Sequence, residues 1–455
     1  MPNRPAAELL GTEPVRDLLI SMAIPSIVAM LMQALYNTVD SMYVAKISDE
    51  SFAAVTLAYP VQMIIGALST GIGVGINSAI SRNLGAGEPE QAAKSASNGI
   101  VLGFGTVFIM ALFGIFGAGT FIRFFSSDPQ VIEAGTIYVR TISILAFGSI
   151  FTQITFSVLQ GSGNMVVPMI SQLAGGFCVI FLDPIFIFLF KLGVLGAAIA
   201  SSLSQAIAML IGFYGIFKVN RANLPVTFKG FRPDIQIMKD ILVVGIPSAL
   251  TQATTSIVSG IVNKLIAGYG TAAIAVFGGF GKFSSFGILP IFGVTRGMTP
   301  ILGYSTGAHD GKRFIETRNL AMKIASIFAV LTSLLFVLAP GVVLKLISAT
   351  PEMREMGMQA YRILGAPIAV YGISIVLAQQ FPPAKKSYIT TILTLARQVG
   401  YMVPLCTLFS RKWGITGIWA GYAAADIINF IVVILVAGWF RRKVIEKWQK
   451  TPTES

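Results

Sequence analysis

The segment GIGVGINSAISRNLGAG, residues 71–87, returns about 220 residues later as IFGVTRGMTPILGYSTG, residues 291–307. Both copies are apolar, glycine-spaced, and closed by a polar turn. Other pairs keep nearly the same offset. AIPS (23–26) matches GIPS (245–248), and SSDPQVIEAGTIYVR (126–140) matches SATPEMREMGMQAYR (348–362), keeping a Pro, a Gly and the final Arg. GVLGAAIASSLSQ (193–205) matches GITGIWAGYAAAD (414–426). The chain is therefore two copies of one unit.

Composition says where those copies reside. Of 455 residues, 54 % are hydrophobic and 12 % charged, against about 25 % charged in a typical soluble domain. The mean hydropathy is +0.76. This is a polytopic membrane protein, which excludes a soluble enzyme, a nucleic-acid module and a secreted disulfide scaffold. A span needs about 20 mostly apolar residues. Twelve such runs fall near 18–45, 52–81, 92–118, 131–158, 165–190, 195–217, 239–265, 271–302, 317–345, 356–379, 387–409 and 415–440. Barrel-type alternation is absent, and lipid tolerates only helices or closed barrels. The expected fold is all-α, twelve helices in two pseudo-symmetric six-helix bundles.

Six helices per copy return the chain to the side it started from. The repeat is then parallel, about an axis along the membrane normal, with a central cavity between rocking bundles, as in carriers. The expected division is 1–217 for the first lobe, 218–238 for a basic surface linker, 239–440 for the second lobe and 441–455 for a basic tail. Lys and Arg fix the orientation. With the N-terminus inside, twenty basic residues, Arg4 to Lys450, fall on cytoplasmic segments against ten outside. Both termini are thus expected in the cytoplasm, in a plasma-membrane protein whose net charge of +13 attracts anionic lipid. The opening nineteen residues carry Glu8, Glu13 and Asp17, and the apolar run beyond is too long for a secretory signal. Cys178 and Cys406 lie in apolar stretches as packing residues. His309 is the single histidine, so no metal site or cofactor is expected. GGFGKFSSFG (278–287) is read as close helix packing.

Ionisable residues at membrane depth cost several kcal/mol unless they face a cavity or a partner. Six stand out: Asp40, Asp183, Lys282, Arg296, Arg397 and Asp426. On helix 1, Gln33, Tyr36, Asn37 and Asp40 share one face at spacings of three and four. Pro25 leaves the Ser21 carbonyl without its helical donor and marks a bend. On helix 5, Asp183 directly precedes Pro184, a second helix break. The repeat counterparts of these acids, near Val262 and Pro404, are not acidic, which argues for function over fold maintenance. In the second copy, Arg397 is expected to pair with Asp426, and Arg296 to reach toward the cytoplasmic interface.

YNTVD on helix 1, ISRNLGAG after helix 2, LQGSGN after helix 4, LDPIFIF on helix 5 and GAAIASSLSQ on helix 6 resemble, in this order, the multidrug and toxic-compound extrusion (MATE) family. The resemblance covers about 15–440 and is greatest to prokaryotic branches with acids in the N-terminal lobe. It implies a V-shaped two-lobe exporter, monomeric, that exchanges small organic cations for H⁺ or Na⁺. By motif match Asp40 and Asp183 take the coupling positions, with Ser201 a nearby helix-6 hydroxyl and Gln205 lining the same site. Val179 replaces an Asn common in relatives, which leaves fewer ligands for Na⁺ and favours H⁺. Two other readings stay open. One is an exporter or flippase of a lipid-linked saccharide or a single metabolite, which would use the basic residues of the second lobe. The other is an intramembrane enzyme, for which no clustered catalytic set exists.

Overall fold

The computed structural model describes residues 6–448 except positions 45 and 48. Arg4, Lys450 and the end of the expected tail (449–455) lie outside the described residues. The described chain is almost entirely helical. The spans are α1 (Val15–Val44), α2 (Asp49–Gly85), α3 (Pro89–Phe116), α4 (Pro129–Gly161), α5 (Val166–Leu189) and α6 (Gly193–Val219) in the first copy. In the second they are α7 (Ile235–Ala267), α8 (Thr271–Gly307), α9 (Gly311–Leu338), the pair Pro351–Gly365 and Ile368–Ala378 bent by 40°, together α10, and the stretch Ser387–Trp448.

That last stretch has 62 residues, about 93 Å at 1.5 Å per residue, three times a ~30 Å hydrocarbon core. It reverses at Gly414, whose φ of 58° and ψ of −137° no helix contains. A Cβ added to Gly421 would lie 2.6 Å from the Cys406 nitrogen, and Cys406 Sγ donates to the Ile418 carbonyl at 3.5 Å. Residues 387–413 and 415–448 are thus two antiparallel spans, α11 and α12, and the count among the described residues is twelve.

Polar punctuation sets the helix starts. Asp128 Oδ1 accepts from the Gln130 nitrogen at 2.8 Å, with Pro129 in the first turn. Asp310 Oδ1 accepts from the Arg313 nitrogen at 2.9 Å, and Thr350 Oγ1 from Met353 at 3.3 Å. Each cap satisfies a donor that the first helical turn leaves open.

The chain forms two compact units, and their limits are not those expected from the loops. The first holds 28–249 with the residues up to Glu13; the second holds Pro14–Ile27 and everything from Leu250. The cuts fall two residues after Pro25 in α1 and two after Pro247 in α7. Backbone contacts explain them. Within the first unit, a Cβ on Gly71 would lie 2.7 Å from the Gly245 carbonyl, and one on Gly75 would collide with the Ile241 carbonyl. Within the second, a Cβ on Gly297 would lie 2.9 Å from the Ala23 nitrogen, and one on Gly293 would reach the Ile27 backbone. The glycines of the repeated segment on α2 and α8 are seats for half-helices that end at the repeated Ile–Pro.

The linker belongs to the first unit. Leu224 is fully buried, Asn220 Nδ2 donates to Ser162 Oγ at 2.6 Å, and the Asp234 nitrogen donates to Asn98 Oδ1 at 2.8 Å.

Candidate functional site

In the first unit, α1, α5 and α6 bring Asp40, Asp183 and Ser201 to one point. Gly176 on α5 permits the approach. A Cβ there would lie 2.6 Å from Met32 Cε and 3.3 Å from Tyr36 Cδ1. Asp183 is fully buried, at the end of the α-helical part of α5. After Pro184 the helix widens into a π turn, Ile185–Leu189. Neither Asp183 carboxyl oxygen meets an N–H or hydroxyl donor among the described residues. What lies within hydrogen-bond reach is the carboxyl group of Asp40. Asp40 is half-buried, and the Ser201 hydroxyl adjoins it.

Aromatic and amide groups enclose the two acids. Gln205 Nε2 donates to Tyr36 Oη at 3.4 Å, with Gln172 beside the same phenol. Thr152 Oγ1 donates to the Gln205 carbonyl at 2.8 Å, tying α4 to α6. Tyr138, 2 % exposed, stands within electrostatic reach of both acids. Its oxygen accepts from Gln62 Nε2 at 2.8 Å, so its own proton remains available to another acceptor. No basic side chain neutralises this pair among the described residues. Two carboxylates so close repel unless a proton or cation lies between them.

The polar stripe of α1 therefore divides. Tyr36 and Asp40 turn into the site, while Gln33 and Asn37 are exposed and make no side-chain bond among the described residues. Val179 is buried packing at 2 % exposure. α1 runs helically through Pro25. Gln62, Gln172 and Tyr138 were not singled out from sequence; one amide in an apolar run (PVQMII, 60–65) is the available signal for Gln62.

The second unit arranges its charges differently. Arg397 Nε and Nη2 lie 2.7 and 2.6 Å from Asp426 Oδ1, and both residues are buried at 8 % and 3 % exposure. The guanidinium carbon stands 4.4 Å from the Tyr371 ring centre and 6.0 Å from that of Tyr422. Arg397 lies in a π-helical stretch, Ala396–Met402, where Gln398 Nε2 also donates to Thr255 Oγ1 at 2.8 Å. On α8, Lys282 is exposed and Arg296 half-buried. Neither meets an acid or acceptor among the described residues.

Helices long enough to cross a bilayer and a doubled six-helix plan define a multi-pass membrane protein of the kind that builds carriers. Comparison with known proteins makes the class specific. The MatE family model matches residues 25–185 and again 247–408, and the chain belongs to this family. It is 25 % identical over 425 residues to the multidrug export protein MepA of Staphylococcus aureus, covering 93 % of this chain and 94 % of that one. The MepA protein of Staphylococcus haemolyticus is 24 % identical, at 94 % and 95 % coverage. Among solved structures, an outward-facing multidrug resistance MATE transporter of the MOP superfamily superposes with a TM-score of 0.92 at 28 % identity, over 99 % of this chain and all of that one. A MOP superfamily transporter from Pyrococcus furiosus Vc1, described as having a binding pocket of reverse polarity that suggests a different function, matches at 0.91 and 27 %, with the same coverage. The chain is not an enzyme.

Proposed function

We propose that this protein exports organic cations in exchange for protons, with Asp40 and Asp183 as the coupling element. The observation that carries the proposal is the approach of two carboxyl groups in a buried site that holds no base. One proton shared between them removes their repulsion, and the protonated acid donates to the other. Loss of that proton leaves a negative site that attracts a cation from water. Proton and substrate then compete, and competition for one site is what exchange requires. The multidrug export named for the MepA relatives supports an export function. Val179, whose side chain offers no oxygen ligand, favours H⁺ over Na⁺.

Alternating access would use the points where α1 and α7 pass from one unit to the other, beside Pro25 and Pro247. A second reading, export of a compound carrying an anionic group, draws on Lys282 and Arg296, which lack acid partners among the described residues. Arg397 adds little to it, because Asp426 already neutralises that charge.

The test is efflux of a cationic dye from cells, with and without an uncoupler, for wild type, Asp40→Asn and Asp183→Asn. The proposal expects uncoupler-sensitive efflux in wild type and loss of at least tenfold in Asp183→Asn, the scale of one lost coupling interaction. Uncoupler-resistant efflux that depends on external Na⁺ would overturn the choice of ion. Wild-type efflux by Asp183→Asn would overturn the site.

A further inference from the structure

At one end of the second unit, positive charge gathers around a buried arginine. The opening turns of α9 carry Lys312, Arg313, Arg318 and Lys323, and the end of α12 carries Arg441, Arg442 and Lys443 in a π turn, Arg441–Ile445. Aromatic packing fixes these two helix ends against each other. Phe314 stands 6.3 Å from Phe440 and 5.8 Å from Trp448, and His309 lies 6.0 Å from Trp448, ring centre to ring centre. Phe314 and Phe440 are fully buried. Arg318 follows Phe314 by one turn, and Arg441 follows Phe440 directly.

Arg318 is 7 % exposed. Its Nε and Nη2 both donate to Asn319 Oδ1, at 3.3 and 2.9 Å, a neutral acceptor. The charged group within its electrostatic reach is another arginine, Arg441. Among the described residues no acid pairs with Arg318, and Arg441 meets an acid only at the solvent-exposed surface. Asp310 caps α9 through the Arg313 nitrogen, and Glu316 is exposed. Glu446 lies 3.5 Å from Arg441 Nε in a contact open to solvent on both sides. A buried guanidinium beside a second one is costly unless an anion joins them, and phosphate is the anion whose geometry the guanidinium fork fits.

We propose that Arg318 and Arg441 hold the phosphate of an anionic phospholipid, with Arg442 and Lys443 at the rim. The helix face that carries the rim residues Arg442 and Lys443, rather than the face that carries Arg441, argues for a lipid over a free ion. Trp439, 50 % exposed, stands one turn before Arg442 and Lys443, and Leu435, 67 % exposed, one turn further. Cation, aromatic ring and aliphatic side chain follow each other in the order of headgroup, interface and acyl chain. The inference does not depend on what the protein transports.

Native mass spectrometry of the full-length purified protein tests this. It would be titrated with phosphatidylglycerol and with phosphatidylcholine of the same acyl chains. The proteins compared are wild type, Arg441→Gln, Arg318→Gln/Arg441→Gln and, as a control in the other unit, Lys191→Gln. Arg441 is exposed, so its variant reads the site without disturbing the core. Wild type and Lys191→Gln should prefer phosphatidylglycerol, and each arginine removed should reduce that preference about fivefold. Equal retention of both lipids by wild type, or an unchanged preference in Arg441→Gln, overturns the proposal. Displacement of phosphatidylglycerol by millimolar inorganic phosphate overturns the lipid as the source of the anion.

Discussion

At matching places in its two copies this chain treats buried charge in opposite ways. Under the repeat, Ser201 and Gln205 on α6 correspond to Tyr422 and Asp426 on α12, while Asp40 and Asp183 correspond to Val262 and Pro404. The first unit thus holds two acids facing each other with no base beside them among the described residues. The second holds an acid and an arginine bonded at 2.6–2.7 Å and covered by two tyrosine rings. The first arrangement gains from taking up a proton and the second does not. One scaffold thus carries an acid pair with no counter-charge among the described residues and an acid neutralised by an arginine.

The contrast can be broken most visibly in the second unit. Asp426→Asn strips Arg397 of its counter-charge and should destabilise the protein by about 3–5 kcal/mol, seen as a large drop in melting temperature in detergent. The double replacement Arg397→Met/Asp426→Leu should recover most of that loss. A double variant as unstable as the single one would show that the pair is required for more than neutrality. Gly75→Ala and Gly297→Ala come next, one in each unit. Each new methyl meets backbone on the seated half-helix, so a loss of about 1–3 kcal/mol is expected from overpacking. Gly66→Ala, which meets nothing within 4 Å, should cost nothing. Tyr138→Phe removes the acceptor of Gln62 and should cost about 1 kcal/mol, while altering the pH dependence of efflux. Asp183→Asn closes the series. It replaces a repelling carboxyl by a neutral isostere, so its stability should stay within about 1 kcal/mol of wild type, with little change in melting temperature, even as coupling is lost.

Much of this was legible in the residues because lipid is a strict solvent. Apolar runs of twenty residues, and charges that interrupt them, have few alternative readings. That is why the twelve spans, the Asp40–Asp183 pair and the Arg397–Asp426 pair are legible in the residues alone. Gln62, Gln172 and Tyr138 escaped notice since a single amide or phenol costs little in a membrane helix and has no fixed spacing. The true limits of the units escaped for another reason. Residues 14–27 and 235–249 look like ordinary parts of their own helices, and only tertiary contacts assign them. The repeated Ile–Pro, and the glycines of 71–87 and 291–307, are the trace that this exchange leaves in sequence.

The central claim, that a proton shared by Asp40 and Asp183 is traded for a cation, has a direct measurement. Purified protein in weakly buffered detergent is mixed with a cationic substrate, and the released protons are counted with a pH indicator. Wild type and the Arg397→Met/Asp426→Leu variant should release protons in proportion to substrate bound, and Asp183→Asn should release none. Proton release that persists in Asp183→Asn, or that disappears only when the second unit's pair is replaced, would contradict the account.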